Sequence, residues 1–174
     1  VLDGARGNGK TNEGEARFIL EEIRKITPDS NMSRRTIGVV SLVGSEQAKL
    51  VWDKVAAELG ESTIEKHHMA FGDARTFQGK ERDIMFLSMV VSGRAQASSQ
   101  EMFRQRYNVA ASRARDRMYL VRSIAPEELS QADKLRAGLL QHFSSPYLQN
   151  EEEIADLRKL CESPFERDIY DALV

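Results

Sequence analysis

The fold of this chain is decided by the segment Ile84-Met85-Phe86-Leu87-Ser88-Met89-Val90-Val91. Its eight residues include only one polar side chain, and two β-branched residues close it, which predicts a strand buried on both faces of a sheet. Residues 37–43 form a second run of this kind, and 118–121 a shorter third. Residues 64–71 are a weaker strand candidate. These four segments predict the strands of a single sheet.

Helical periodicity fills the intervals between these strands. Apolar residues recur at helical spacing after Asn12 and Glu15, which predict a capping-box start. A second helix is predicted from Ser45 to Gly60, and a third over residues 102–114. Strands that alternate with helices predict an α/β fold, with a parallel sheet covered by helices on both faces. Short helices after residue 125 predict a helical C-terminal extension.

Composition narrows the class of protein. The chain has 174 residues with 41% hydrophobic content, enough for one domain with a sizeable core and an appendage. The sequence contains no run that resembles a membrane span or a secretory signal. Its single cysteine, Cys161, excludes a disulfide within the chain. We therefore predict a cytoplasmic protein without a membrane partner.

The net charge of −2 conceals two oppositely charged regions. Residues 151–174 contain eight acidic and three basic residues, so the composition changes near position 150. Residues 104–122 contain six arginines and one acid, Asp116. Arg113 and Arg115 lie among small residues that permit close approach of a ligand. This basic cluster favours a phosphate-bearing partner over a merely solvated helix face.

One pattern near the N-terminus has two interpretations. Gly4-Ala5-Arg6-Gly7-Asn8-Gly9-Lys10-Thr11 fits the GxxxxGK[ST] phosphate-loop pattern, and a helix follows it. A phosphate loop also requires a buried strand before it and a magnesium-binding acid at the end of another strand. Only Val1-Leu2-Asp3 precedes the pattern, and the apolar runs 37–43 and 84–91 both continue into Gly and Ser. We therefore favour an ordinary loop, and keep the nucleotide-binding interpretation as the alternative.

Two further segments, separated by about thirty residues, carry the functional signal. They are Thr76-Phe77-Gln78-Gly79-Lys80-Glu81-Arg82-Asp83 and Tyr107-Asn108-Val109-Ala110-Ala111-Ser112-Arg113-Ala114-Arg115. In this order they resemble the fifth and sixth motifs of superfamily one helicases, on the second of two RecA-like motor domains. The resemblance is strongest to the branch with the nonsense-mediated-decay helicase and bacterial relatives that carry a C-terminal nuclease-like domain. It implies a RecA-like P-loop NTPase fold.

The resemblance also implies roles for individual residues. Arg113 matches the arginine finger, the catalytic residue that stabilises the transition state of ATP hydrolysis. The nucleotide-binding residues it implies are Gln78, Gly79, Glu81 and Arg115, and the residues near nucleic acid are Gln47 and Thr76. Because parallel sheets bind ligands at the carboxyl ends of their strands, we expect both motifs to emerge there.

Two positions depart from the pattern of the relatives. Glu13 stands where they commonly have an arginine, which puts one phosphate contact in doubt. Asp73 replaces a threonine or serine, which weakens a backbone contact to nucleic acid. We also predict a structural contact for Asp83 and packing for Trp52. On a strand, His67 and His68 would point to opposite faces and would not share a metal, so we predict a core or hydrogen-bonded histidine.

The resemblance finally implies partners and boundaries. Residues 1–125 would form the second motor domain, and 126–174 a helical extension with the start of a truncated nuclease-like domain, to which residues 163–174 are weakly similar. ATP and Mg²⁺ would be bound jointly with a first motor domain expected before residue 1, and this chain would hold no metal alone. Single-stranded nucleic acid would be the partner, DNA in preference to RNA. The fragment alone would be nearly inactive. The alternatives are a self-contained P-loop enzyme that uses residues 4–11, and a degenerate RecA-like interaction module.

Overall fold

The computed structural model describes residues 6–7, 10–92 and 101–145. The chain divides into two compact units, Val1–Leu139 and Leu140–Val174, and the second is described only as far as residue 145. The predicted similarity at 163–174 therefore lies outside the described residues. The elements are β1 (Arg6–Gly7), β2 (Thr11–Asn12), α1 (Glu13–Ile26), β3 (Ile37–Ser41), α2 (Glu46–Leu59), α3 (Glu61–Lys66), β4 (Ala70–Asp73), β5 (Arg82–Ser92), α4 (Glu101–Ala111), β6 (Ala114–Ser123) and α5 (Lys134–Ser144).

Four parallel strands form the main sheet, in the order β4-β3-β5-β6. The segment 84–91 lies within β5, which pairs with strands on both sides and is buried from residue 84 to residue 91. A parallel sheet with helices between its strands confirms the predicted α/β, RecA-like fold class. β1 and β2 form a separate two-stranded antiparallel pair.

The core is divided by the sheet into two layers, because neighbouring residues of a strand point to opposite faces. On one face, α1 and α2 pack their apolar sides against alternate residues of β3 and β5, with Val39 and Phe86 in the same cluster. On the other face, Phe77 lies against Gly38 and Met85. A Cβ atom at position 38 would overlap the Met85 sulfur and approach the Phe77 ring, so glycine is required there.

The weak strand prediction at 64–71 was partly wrong. Residues Glu61–Lys66 form the helix α3, and only Ala70–Asp73 extend as β4. Between them, His68 adopts a positive φ of 41°, and His67 is buried with its Nδ1 atom 2.9 Å from the Arg35 carbonyl oxygen. The two histidines therefore lie in a turn and not on a strand, and the prediction of a core or hydrogen-bonded histidine is confirmed for His67.

The third predicted helix also ends earlier than expected. α4 ends at Ala111 and β6 begins at Ala114, which places Arg113 in the turn between them and Arg115 on the strand. The helices predicted at Asn12 and Ser45 are confirmed, as is the end of the second at Gly60. None of the helices in the described ranges has the length and apolarity needed to cross a membrane.

Candidate functional site

The two motif segments meet at one end of the sheet. Arg82 is paired with Ala114, and the Arg82 amide donates a hydrogen bond to the Arg113 carbonyl oxygen at 3.0 Å. These residues mark the amino ends of β5 and β6, so the expectation that both motifs emerge at carboxyl ends was wrong. The cause is their order in the chain: the two segments run directly into β5 and β6, so each approaches the amino end of the parallel strand that follows it.

Arg113 is held by neutral groups at the end of α4. Its Nε atom donates to the Val109 carbonyl oxygen at 3.1 Å, and its Nη2 atom donates to the Ser112 hydroxyl at 2.8 Å. Carbonyl oxygens at a helix C-terminus carry partial negative charge and attract a cation. No carboxylate among the described residues pairs with Arg113. Its charge is therefore available to an anion.

Gln78 and Glu81 lie on the same exposed surface as Arg113. Gln78 lines a shallow cavity of about 350 Å³ together with Val109, whose carbonyl oxygen holds Arg113. The Glu81 carboxylate accepts a hydrogen bond from Arg115 Nε at 3.0 Å, and both side chains are exposed. The structure thus places Gln78, Gly79 and Glu81 on the exposed turn before β5, where Arg115 contacts Glu81 and the Arg113 backbone contacts Arg82.

Gly79 makes this surface accessible. It adopts a positive φ of 73°, and no atom lies within 4 Å of the position that a Cβ would occupy. A side chain would strain this backbone conformation by about 1 kcal/mol or more. Because the glycine leaves the turn uncovered, a ligand can approach its backbone closely.

The two residues predicted to contact nucleic acid lie in different environments. Thr76 is exposed just beyond β4, and its hydroxyl lies 3.3 Å from Asp73 Oδ1. Gln47 is fully buried and makes two hydrogen bonds to the Asn12 backbone, from its Nε2 atom to the carbonyl oxygen (3.0 Å) and from the Asn12 amide to its Oε1 atom (2.7 Å). Direct contact of Gln47 with nucleic acid is therefore a wrong prediction, because its amide is used to fix the start of α1.

A buried polar network occupies the carboxyl ends of the central strands. Ser88 Oγ and the Val90 amide donate to Glu15 Oε2 at 2.6 and 2.9 Å, and Asn12 Nδ2 donates to Ser123 Oγ at 2.9 Å. Val90 has a positive φ of 64°, which is strained for a β-branched residue. Burial raises the pKa of Glu15, and the hydrogen bonds from Ser88, Val90 and Ser123 oppose that rise.

This network lies near the place where such folds usually bind ligands. β3 leads to β4 on one side and β5 leads to β6 on the other, so the crevice of a doubly wound sheet lies between the ends of β3 and β5. The Glu15 carboxylate is bonded to Ser88 and Val90 of β5 and lies beside Ser123 of β6. Asn12 caps α1 as predicted, accepting from the Glu15 amide, but Glu15 turns into the core and does not return the bond.

The Gly4 to Thr11 pattern does not have phosphate-loop geometry in its described part. Lys10 and Thr11 precede α1, which begins at Glu13, whereas a phosphate loop leads directly into its helix. Lys10 Nζ donates to Glu46 Oε1 at 2.7 Å, and this carboxylate raises the pKa of Lys10. Arg6 and Gly7 pair with Asn12 and Thr11, which draws the two ends of the loop together.

Two acidic side chains have structural partners. Asp83 accepts from the Thr36 amide and hydroxyl, each at 2.8 Å, which confirms the predicted structural contact. Glu13, at the position where relatives commonly have an arginine, pairs with Lys54. Within the described ranges, no three His, Cys, Asp or Glu side chains are grouped as a metal site requires.

Sequence reasoning missed one exposed residue. Trp52 was predicted to pack, but 39% of its surface is accessible, and it is the one large hydrophobic side chain exposed in the described part. The signal was present in the sequence. Val51 and Val55 form the buried side of α2, and Trp52 follows Val51 by one residue, which rotates it away from the core.

The parallel sheet and its helices define an α/β domain of the RecA-like fold class. Comparison with known families matches residues 3–124 to a family described as an AAA domain, a domain found in helicases. The match covers more than half of the chain, and the chain belongs to this family. A search of curated proteins found no match.

Proposed function

We propose that this chain is the second RecA-like motor domain of an ATP-dependent superfamily one helicase of the nonsense-mediated-decay type. The observation that carries the proposal is Arg113, a cation that pairs with no carboxylate among the described residues and whose carbonyl oxygen bonds to Arg82, the residue after Glu81. Membership of the helicase-containing family supports it.

Arg113 would act as the arginine finger. Hydrolysis of the γ-phosphate develops negative charge on its oxygens, and a guanidinium at that position accelerates the reaction roughly 10³- to 10⁵-fold. To reach the phosphate, Arg113 exchanges its hydrogen bonds to Val109 and Ser112 for charge-assisted bonds to the anion, which are stronger. No buried ion pair has to be broken for this movement.

Glu81 and Arg115 would separate when nucleotide binds. The Glu81 carboxylate can accept hydrogen bonds from ribose hydroxyls, which frees Arg115 to support the phosphates. The exposed pair costs little to open, because surface salt bridges contribute about 0–1 kcal/mol. Gln78 and the backbone of Gly79 would form the adjoining part of the surface.

The remaining parts of the ATP site would come from a first motor domain. Lys10 is paired with Glu46, and within the described ranges no three His, Cys, Asp or Glu side chains are grouped as a metal site. ATP would therefore bind between the two domains, with Mg²⁺ held by the other one. Single-stranded nucleic acid, DNA in preference to RNA, would be the track in the cytoplasm, with Thr76 among its contacts.

The test is ATP turnover in the protein that contains both motor domains. We expect Arg113→Ala to reduce kcat by about 10³-fold without changing the melting temperature. Arg117→Ala is the matched control, because Arg117 lies four residues away and its Nη1 atom contacts only the Tyr119 hydroxyl at 3.3 Å. It should turn over ATP like the wild type. Unchanged turnover in Arg113→Ala would favour a degenerate interaction module.

A further inference from the structure

A groove on the nucleic-acid side of the domain contains an exposed aromatic side chain. The groove has a volume of about 500 Å³ and lies between the first turns of α2 and the end of β4. Its lining comprises Ser45, Glu46, Ala48, Lys49, Trp52, Met69, Phe71, Gly72 and Thr76. It opens at the carboxyl ends of β3 and β4, on the opposite side of the 74–81 connection from Arg113.

The groove has an apolar wall with a polar opposite rim. The residue Trp52 is 39% exposed. Lys49 lies three residues before Trp52 on α2, so the two side chains are on the same side of the helix. Thr76 contributes an exposed hydroxyl. A flat, half-exposed aromatic ring beside a cation is the arrangement that binds a base and its phosphate.

The charges of the groove favour an anionic occupant. Lys49 is exposed and makes no ion pair with any described residue. Of the two charged residues that line the groove, Glu46 pairs with Lys10, and Lys49 makes no ion pair with a described residue. Lys49 is thus the lining charge that is left for a ligand.

We propose that this groove binds one nucleotide of a single strand, with the base stacked on Trp52 and the phosphate at Lys49. Thr76 lies across the groove as a hydrogen-bond donor to the strand. The inference rests on the proposed helicase function and names a contact surface for its nucleic acid. Stacking of a base on an aromatic residue is sequence-tolerant, as a motor that steps along any strand requires.

The experiment uses the intrinsic fluorescence of the chain, because Trp52 is its only tryptophan. In one titration of the 174-residue chain, the anisotropy of fluorescein-labelled (dT)₁₀ reports binding. In a second titration, unlabelled (dT)₁₀ is added and the quenching of Trp52 fluorescence is measured. We expect both signals to saturate together. Trp52→Ala should weaken binding roughly tenfold, and Trp52→Phe should recover part of the loss.

A charge variant supplies an independent test. Lys49→Gln should weaken binding and reduce the slope of log Kd against log salt concentration by about one. Lys66→Gln is the matched control, because Lys66 is exposed on α3 outside the groove and should leave both quantities unchanged. Circular dichroism of each variant verifies folding. The quenching of Trp52 fluorescence is measured on the wild type, so this test does not depend on the folding of a variant.

Three outcomes would overturn the inference. Binding by anisotropy with unchanged Trp52 fluorescence and normal affinity of Trp52→Ala would place the strand elsewhere, while the helicase function would stand. Absence of binding to (dT)₁₀ would remove the groove contact, and the function would still be judged by Arg113 turnover. If Trp52 fluorescence changed on addition of a first motor domain and with no oligonucleotide, the groove would be a contact surface for protein.

Discussion

The two ends of the central strands use the same residue types for opposite purposes. At the carboxyl ends, Glu15 and Gln47 are buried and bonded to neighbouring chain segments. At the amino ends, Glu81 and Gln78 are exposed and make, at most, a surface ion pair. A glutamate and a glutamine stabilise the fold at one end, and the same pair is available to a ligand at the other.

The difference teaches that exposure, and not residue type, decides which of these side chains a ligand can reach. The Glu15 carboxylate accepts from Ser88 and Val90 inside the fold. The proposed nucleotide-binding residues lie at the amino ends, where Arg115 contacts Glu81 and the Arg113 backbone contacts Arg82. Stability and activity should therefore respond to substitution at separate ends.

Removal of the buried carboxylate should have the largest effect on stability. Glu15→Ala leaves the Ser88 hydroxyl and the Val90 amide without their acceptor, and each such group costs about 1–3 kcal/mol. We expect a loss of about 3 kcal/mol in the free energy of unfolding by urea. Glu81→Ala is the matched control and should change it by less than about 0.5 kcal/mol. Equal losses would abolish the contrast between the two ends.

The glutamine pair should show the same contrast on a smaller scale. Gln47→Ala removes both hydrogen bonds to the Asn12 backbone, and we expect a loss of about 2 kcal/mol in urea unfolding. Gln78→Ala should be neutral for stability. If Gln47→Ala retained full stability and weakened binding of single-stranded DNA, the original assignment of Gln47 to nucleic acid would be restored.

Asp83 refines the contrast, because it stabilises the fold although it lies at the amino ends of the strands, near the proposed nucleotide-binding residues. Asp83→Ala removes the acceptor of the Thr36 amide and hydroxyl, at an expected cost of about 1–2 kcal/mol at pH 7. Hydrogen bonds from Thr36 lower the pKa of Asp83 below 3.8. Its contribution is therefore present above pH 3.8 and is lost as the pH falls through the lowered value. The difference in unfolding free energy between Asp83→Ala and the wild type, measured with urea, should be smaller below pH 3 than at pH 7. A difference that stayed constant would contradict this origin.

Glu15 should make the stability of the fold depend on pH with the opposite sign. Because burial raises its pKa above 4.5, the folded state retains a proton that the unfolded state releases, and stability is lost as the pH rises through the folded value. Between pH 4.5 and pH 7, Glu15→Gln should therefore gain stability relative to the wild type. Parallel stability curves for the two proteins would show that Glu15 does not titrate in this range.

The sequence predicted those features that local patterns determine. The buried run at 84–91 and the alternation with helices gave the sheet, and Asn12 gave the start of α1. The position of the motifs at the amino ends follows from their order in the chain, because each motif runs directly into the strand after it, and the expectation taken from the usual ligand site of parallel sheets overlooked that order. The burial of Gln47 was likewise hidden, because a glutamine in the first turn of a helix is usually exposed and here bonds to a segment 35 residues away.

The central claim is that this chain supplies the arginine side of an ATP site and no phosphate loop. The most direct measurement compares ATP turnover of Lys10→Ala and Arg113→Ala in the protein that contains both motor domains. We expect Lys10→Ala to retain turnover close to that of the wild type and Arg113→Ala to lose about 10³-fold. The reverse result, with turnover abolished by Lys10→Ala and indifferent to Arg113→Ala, would contradict the account and assign nucleotide binding to residues 4–11.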